Sequence, residues 1–480
     1  MNTTLPVVVV IAYVLLLTWV ALRARAARDF KDFSIAGRTL PLALVFGSLA
    51  ATYVGPAFSI GFVGKGFHSG FLFWGIGLAY AAQNILVGIF IAPRLRALKG
   101  CHTLGDVVGQ KYDRTCQILA GIISVGVCAG LAAVMAKAGG DVAKNLCANL
   151  AVVMGSAGHE MIANLLNLPH WSAVVIVVGI TALYTTFGGL KASVVTDAFQ
   201  FTAFAVLLPA ALIWILFFHP NPGVTTFTKE VANTTTAGLG STSIVQIIGL
   251  LTAFLLGETL IPPYANRALA SKTTAVSRNG FILAGLFSIA WFAVMIALGI
   301  AARTVIFGEA YEDDVLFQLI ELTMPKLAYT VLLVVLISVI MSSLDSLLNA
   351  GAVVFTQDIV KPFAKLSDNT ALNIGRCATI IIAIIACAGA VTVKSIVSGL
   401  LVCYTIWAPA ILPALIIGLW VKRPHPLAGI LSMGAGTIVA VVFEFVYPSA
   451  INVPAIIPAL AAGLLAYALG HWMEKTKFGA

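Results

Sequence analysis

Val339, Ser342, Ser343, Asp345 and Ser346 lie within eight positions of one another, inside the otherwise apolar stretch 328–357. On a helix, positions 339, 342, 343 and 346 share one face. Clustered oxygens in a place where oxygen is costly point to a hard cation such as Na⁺. The hydroxyls of Ser342 and Ser343 are ready ligands, and the Val339 carbonyl joins them if helical bonding relaxes there. The bland alternative is that both hydroxyls bond back to a carbonyl one turn earlier or hold neighbouring helices together.

Asp345 adds weight to the cation. A carboxyl at mid-helix depth costs about 2.5–3.5 kcal/mol on insertion scales, so a compensating partner is expected. No basic residue is within helical reach. A bound cation, a protonated state or a cationic substrate group would each satisfy it, and Asn349, one turn on, offers a hydrogen bond.

The elements that position these groups are membrane helices. Of 480 residues, 60% are hydrophobic and only 10% are charged, against about 25% charged in soluble domains. Apolar runs long enough to cross a bilayer recur along the chain. They fall near 5–22, 40–64, 70–92, 116–137, 171–189, 194–218, 243–265, 280–302, 328–357, 377–393, 395–420, 426–447 and 452–472. The expectation is an all-α polytopic membrane protein with about thirteen transmembrane helices. The chain reads as a single transporter domain over 1–480.

Charge placement orients it. With the N-terminus outside and the C-terminus inside, most of the 28 basic residues fall inside, among them Arg23, Arg25, Arg28, Arg94, Arg96, Lys191, Arg267, Lys272, Arg423 and Lys475. The net charge of +9 is then topology and needs no nucleic-acid partner. The first run lacks a basic leader and is followed by basic residues, so it reads as an anchor and not a cleaved signal. Seven scattered cysteines without a Cys-x-x-Cys pair read as packing residues. Asn2 and Asn233 stand in Asn-x-Thr sequons that read as chance.

Two helices carry breaking residues. One reads Ala50-Ala51-Thr52-Tyr53-Val54-Gly55-Pro56, the other Gly257-Glu258-Thr259-Leu260-Ile261-Pro262-Pro263. Proline removes a donor and clashes with the preceding turn, so each helix is expected to open there. Carbonyls freed at Ala51 and Val54 would complete the oxygen set of Val339, Ser342 and Ser343. The breaks lie five helices apart, and such a pair points to a transporter site between inverted halves.

Other chemistry is sparser. Asp197 lies in an apolar run, and Lys191 is two turns before it, too far for an easy pair; it reads as a functional acid or, as the bland alternative, as a helix-end acid near the cytoplasmic surface. Glu258 sits at the second break, where it reads as a substrate partner or as a cap for the helix half that follows. Tyr53, Trp74 and Tyr80 offer aromatic faces to a cationic or apolar solute, though membrane helices also use aromatics as packing. No enzyme motif is present: His159-Glu160 is the nearest histidine–acid pair and stands without partners. Catalysis is therefore not expected.

Several segments carry a resemblance. They are Asp32-Phe-Ser-Ile-Ala-Gly37-Arg38-Thr-Leu-Pro41, Tyr184-Thr-Thr-Phe-Gly188-Gly189 leading to Thr196-Asp197-Ala-Phe-Gln200, Pro263-Tyr-Ala-Asn-Arg267-Ala-Leu-Ala-Ser-Lys272, and Met341-Ser-Ser-Leu-Asp345-Ser-Leu-Leu-Asn349. In this order and spacing the chain resembles the sodium/solute symporter family over nearly its whole length. The resemblance implies a LeuT-type 5+5 inverted repeat with two broken helices. Its segments would be an extra N-terminal helix and loop (1–39), repeat 1 (40–218), repeat 2 (243–420) and two extra C-terminal helices (421–480). It implies Na⁺ as the co-transported ion, held by the carbonyls of Ala51, Val54 and Val339 and the hydroxyls of Ser342 and Ser343. A second cation site, found in some members, would map to Asp197, Ser342, Asp345 and Ser346. The aspartate at 345 departs from the hydroxyl of sugar carriers and is similar to the choline-transporter branch.

The substrate-binding candidates are Tyr53, Tyr80, Phe254, Glu258 and Ile261. Phe254, Gly257 and Phe58 replace polar contacts of sugar carriers, and Ile261 replaces a cage aromatic of the choline branch. The expected function is Na⁺-coupled uptake of a small organic solute, an amino acid such as proline or an amine or quaternary ammonium compound. H⁺ coupling, a carboxylate or vitamin cargo, or a sensor without transport are the alternatives. The expected partners are the solute, Na⁺ and the bilayer of a cell membrane, bacterial inner membrane included, with no obligate protein partner.

Overall fold

The computed structural model describes residues 5–23, 27–156, 158, 160–219, 223–237, 243–422, 424–446 and 453–478. Asn2, Arg25, His159 and Arg423 lie outside the described residues. The chain opens with α1 (Leu5–Arg23), α2 (Phe30–Ile35), α3 (Leu42–Tyr53), α4 (Phe62–Ser69), α5 (Leu72–Leu86), α6 (Ala92–Ala97) and α7 (Leu104–Lys111). Next come α8 (Arg114–Ser156), α9 (Glu160–Leu166), α10 (His170–Phe217), α11 (Gly223–Ala237), α12 (Ile244–Leu256) and α13 (Pro262–Ala270). The remainder is α14 (Thr274–Ala302), α15 (Val315–Thr323), α16 (Lys326–Val354), α17 (Asp368–Ala390), α18 (Ile396–Trp420), α19 (Pro426–Val441) and α20 (Ile456–Phe478).

Helices cover every apolar run read from the sequence, but the expected thirteen crossings are not reproduced as such. Among the described residues, nine helices are long and apolar enough to cross a membrane, or ten with the bent pair α3 and 57–69. Two runs, 171–189 and 194–218, are merged in the 48-residue α10, which turns within itself at Gly189 (φ 58°). A Cβ there would lie 2.8 Å from Phe33 Cα, so glycine answers both the positive φ and the close approach of α2. The run 243–265 is split into α12 and α13, and α12 alone, at 13 residues, is too short to span.

Helix α16 is the axis of the molecule. Every residue from Ser338 to Val354 is buried. A helix apolar on all sides finds partners on all sides, and α16 packs against α3, α8, α10, α13 and α17. Helix α1 docks on this core through Tyr13, whose hydroxyl accepts from Ser338 Oγ at 2.7 Å and from Gln200 Nε2 at 3.3 Å.

Both expected breaks are present. At the first, α3 and the helix resuming at Ala57 are bent by 61°. At the second, Leu260 takes a positive φ of 56° before α13 starts at Pro262. The loop ahead of α3 is fastened to the end of α13 by a backbone bridge: Leu40 N donates to Ala270 O at 3.2 Å and Lys272 N to Leu40 O at 2.8 Å.

Candidate functional site

Helical bonding of α3 ends with Val54 N–H donating to Ala50 O. The amides of Phe58 and Ser59 both turn to Gly55 O at 3.0 Å. The Val54 carbonyl is thereby left to Ser59 Oγ, at 2.6 Å. Pro56 has no N–H to offer Thr52 O. This loosened backbone lies against the serine pair of α16: a Cβ on Gly55 would sit 2.8 Å from Ser343 Oγ. Ala51, Val54, Val339, Ser342 and Ser343 are all buried. Ser342 Oγ donates to Val339 O at 2.9 Å and Ser343 Oγ to the same oxygen at 3.4 Å. Back-bonding uses each hydroxyl's proton and leaves its lone pairs available, so the bland and the cation readings of this pair are compatible.

One turn along, the structure gathers Asp197, Asp345 and Ser346, as the family resemblance implies, and adds Arg267. Arg267, which the charge pattern counts among the inside basic residues, is fully buried. Its Nη2 donates to Asp197 Oδ2 at 3.0 Å and also to Ser346 Oγ. Ser48 Oγ donates to Asp197 Oδ2 at 2.6 Å. Asp197 is thus a paired interior acid, not a helix-end one, and Lys191 stands exposed. Asp345 accepts from Tyr184 OH at 2.9 Å and Ser193 Oγ at 2.8 Å. Asn349 does not serve Asp345; its Nδ2 donates to Phe33 O at 3.3 Å.

The second break holds a carboxylate among rings. Glu258 is buried, and its two oxygens accept from Tyr264 OH at 2.6 Å and from Tyr404 OH. Among the described residues no basic side chain pairs with it. Tyr264 OH lies 3.3 Å from Tyr80 OH, and the Tyr53 and Tyr264 ring centroids are 4.1 Å apart. Phe58 stacks on Tyr80 at 4.3 Å and meets Phe254 edge-on at 5.9 Å. Ile261 is buried at the N-terminus of α13. Trp407 Nε1 steadies the break by donating to Thr259 O at 2.8 Å. The candidates Tyr53, Tyr80, Phe254 and Glu258 therefore converge, and Tyr264, Tyr404 and Phe58 complete their surroundings. Trp74 does not join them; its Nε1 donates to Ile289 O at 3.1 Å.

The model of the "Sodium:solute symporter family" matches residues 33–434. The chain is 22% identical over 445 residues to the sodium/glucose cotransporter of Vibrio parahaemolyticus, covering 85% of this chain and 78% of that one. It is 24% identical over 426 residues to sodium/glucose cotransporter 1 of Oryctolagus cuniculus, covering 78% of this chain and 60% of that protein. A solved structure of a Na⁺-coupled sialic acid symporter, substrate-bound and outward-open, superposes with a TM-score of 0.79. That match has 17% identity and covers 97% of this chain and 96% of the other, which shows the fold. The chain belongs to the sodium:solute symporter family and is a Na⁺-coupled carrier of a solute.

Proposed function

We propose that this symporter takes up an amine-bearing solute, an amino acid such as proline or a quaternary ammonium compound, together with Na⁺. The observation that carries the reading is Glu258: a buried carboxylate at the second break, without a basic partner among the described residues, walled by tyrosine and phenylalanine rings. An interior charge held only by hydroxyls gains most from an entering cation, and aromatic faces favour the same cation. A lone carboxylate cargo is repelled by the same charge.

Na⁺ is held by the carbonyls of Ala51, Val54 and Val339 and the hydroxyls of Ser342 and Ser343, and so ties the first break to α16. Loss of Na⁺ to the cytoplasm frees both and releases the solute. Residues 40–218 and 243–420 act as the two inverted repeats, with the N-terminus outside and the C-terminus in the cytoplasm. About 100 mV of membrane potential adds roughly 2.3 kcal/mol per charge moved inward.

A thermal-shift screen of purified protein tests the reading, with amino acids, quaternary amines, carboxylates and sugars, each with and without Na⁺. Ligand at about 100 times its Kd stabilises by about 2.7 kcal/mol. Amine-bearing solutes are expected to raise Tm, more so with Na⁺, and the Glu258→Gln variant is expected to lose that response. Stabilisation by sugars or carboxylates alone would sink the substrate class.

A further inference from the structure

A second cation site at Asp197, Ser342, Asp345 and Ser346 has to accommodate the guanidinium already lodged there. Arg267 Nη2 donates to both Asp197 Oδ2 and Ser346 Oγ. Its Nε donates to Ser48 Oγ at 3.0 Å and its Nη1 to Pro263 O at 3.0 Å, so the fork is locked from two sides. A fixed positive charge on two of the four ligands repels a metal cation from them.

The cluster is nevertheless short of positive charge. With Asp197 and Asp345 both ionised against the one guanidinium, one negative charge is left over. Asp197 Oδ1 has no hydrogen-bond partner among the described residues. Among the described residues Asp345 makes no ion pair; it is held by the hydroxyls of Tyr184 and Ser193 and, at 3.5 Å, of Thr196, with Ser346 Oγ 3.1 Å from its Oδ1. Ser346 Oγ also donates to Ser342 O at 2.8 Å, which ties this cluster to the serine turn. The five ligands of the Na⁺ site are all neutral oxygens, so an ion there has no charge partner of its own in a low-dielectric interior. The surplus charge lies two residues along α16 from Ser343.

We propose that Arg267 is a resident cation that closes the second ion site, and that Asp345 is the through-space counter-charge for a single Na⁺ bound at Ser342 and Ser343. Asp345 makes no bond to the ion; it is a positioning charge that sets Na⁺ affinity. The proposal rests on the Na⁺ site given above.

Equilibrium binding of radiolabelled Na⁺ to the purified full chain tests it, because the number of ions and their affinity are read separately and no solute is needed. Wild type is expected to bind one Na⁺ per chain. Asp345→Asn is expected to keep one ion and raise its Kd about tenfold or more. Arg267→Gln, which frees Asp197 and Ser346, is expected to admit a second Na⁺. The double variant restores the net charge of the cluster and is expected to return the first ion's Kd to within about threefold of wild type. A monodisperse elution profile accompanies each variant; should Arg267→Gln not fold, the ion count and the Asp345→Asn affinity decide alone. Two ions in wild type, or an Asp345→Asn variant that loses an ion or keeps wild-type affinity, would overturn the proposal. Na⁺ binding untouched by Ser343→Ala would instead remove the Na⁺ site itself.

Discussion

Gly55 is where the two ends of the proposed Na⁺ site touch. A methyl group there would meet Ser343 Oγ at 2.8 Å and Thr52 O at 3.4 Å. Gly55→Ala is expected to push the break away from α16 and weaken Na⁺ binding about tenfold while the chain still folds, as read by the Na⁺ dependence of Tm. Glu258→Gln is expected to leave Na⁺ binding intact and raise the apparent KM for the solute by tenfold or more in uptake assays, since a charge-assisted contact is worth about 1.5–3 kcal/mol. Much of this site was legible in the chain. Val339, Ser342 and Ser343 share a helix face, and Gly55-Pro56 and Pro262-Pro263 announce their breaks locally. What escaped was contact at long range. Arg267 reads as a loop cation by its position beside Lys272, and only the fold carries it across 70 positions to Asp197. Tyr404 reaches Glu258 across 146 positions, beyond any spacing rule. Tyr264, six positions after Glu258, was the one partner that spacing near the break could have found.

Close helix approach shapes the elements. The half-helix α4 lies so near α14 that a Cβ on Gly299 would meet Val63 O at 2.1 Å, and one on Gly66 would meet Ile296 O at 2.5 Å. Backbone cannot yield as a flexible side chain can. Gly299→Ala is therefore expected to cost about 1–3 kcal/mol, seen as a Tm several degrees lower with Na⁺ response retained. Glycine-mediated packing of this kind is typical of helices in lipid, where no hydrophobic drive separates protein from solvent. Hydropathy located these helices well, because apolar length is a sum over residues. It did not resolve the turn at Gly189 inside α10 or the five residues between α12 and α13, because a change of direction costs no hydrophobicity.

For the molecule as a whole, the polar end near α7 adds a pH dependence. Burial, with Lys361, Arg38 and Lys31 close by, pushes the His102 imidazole down to about 4, while Asp368 pulls slightly the other way. Its Nδ1 lies 2.7 Å from Ser34 Oγ. An unfolded histidine titrates near about 6.5. The folded state thus prefers neutral His102, and that preference stabilises it above about 6.5. It is lost as pH falls from there through about 4. Wild-type Tm is expected to drop across this window more than that of His102→Asn, measured by differential scanning fluorimetry in Na⁺ buffer.

The bridge between Leu40 and the end of α13 joins segments more than 200 positions apart with only two backbone hydrogen bonds. Its amide protons, on Leu40 and Lys272, are shielded only while those segments stay together. Their exchange with deuterated water then acts as a clock, counting how often this end of the carrier parts. The same two protons can be followed without inhibitors or a known cargo.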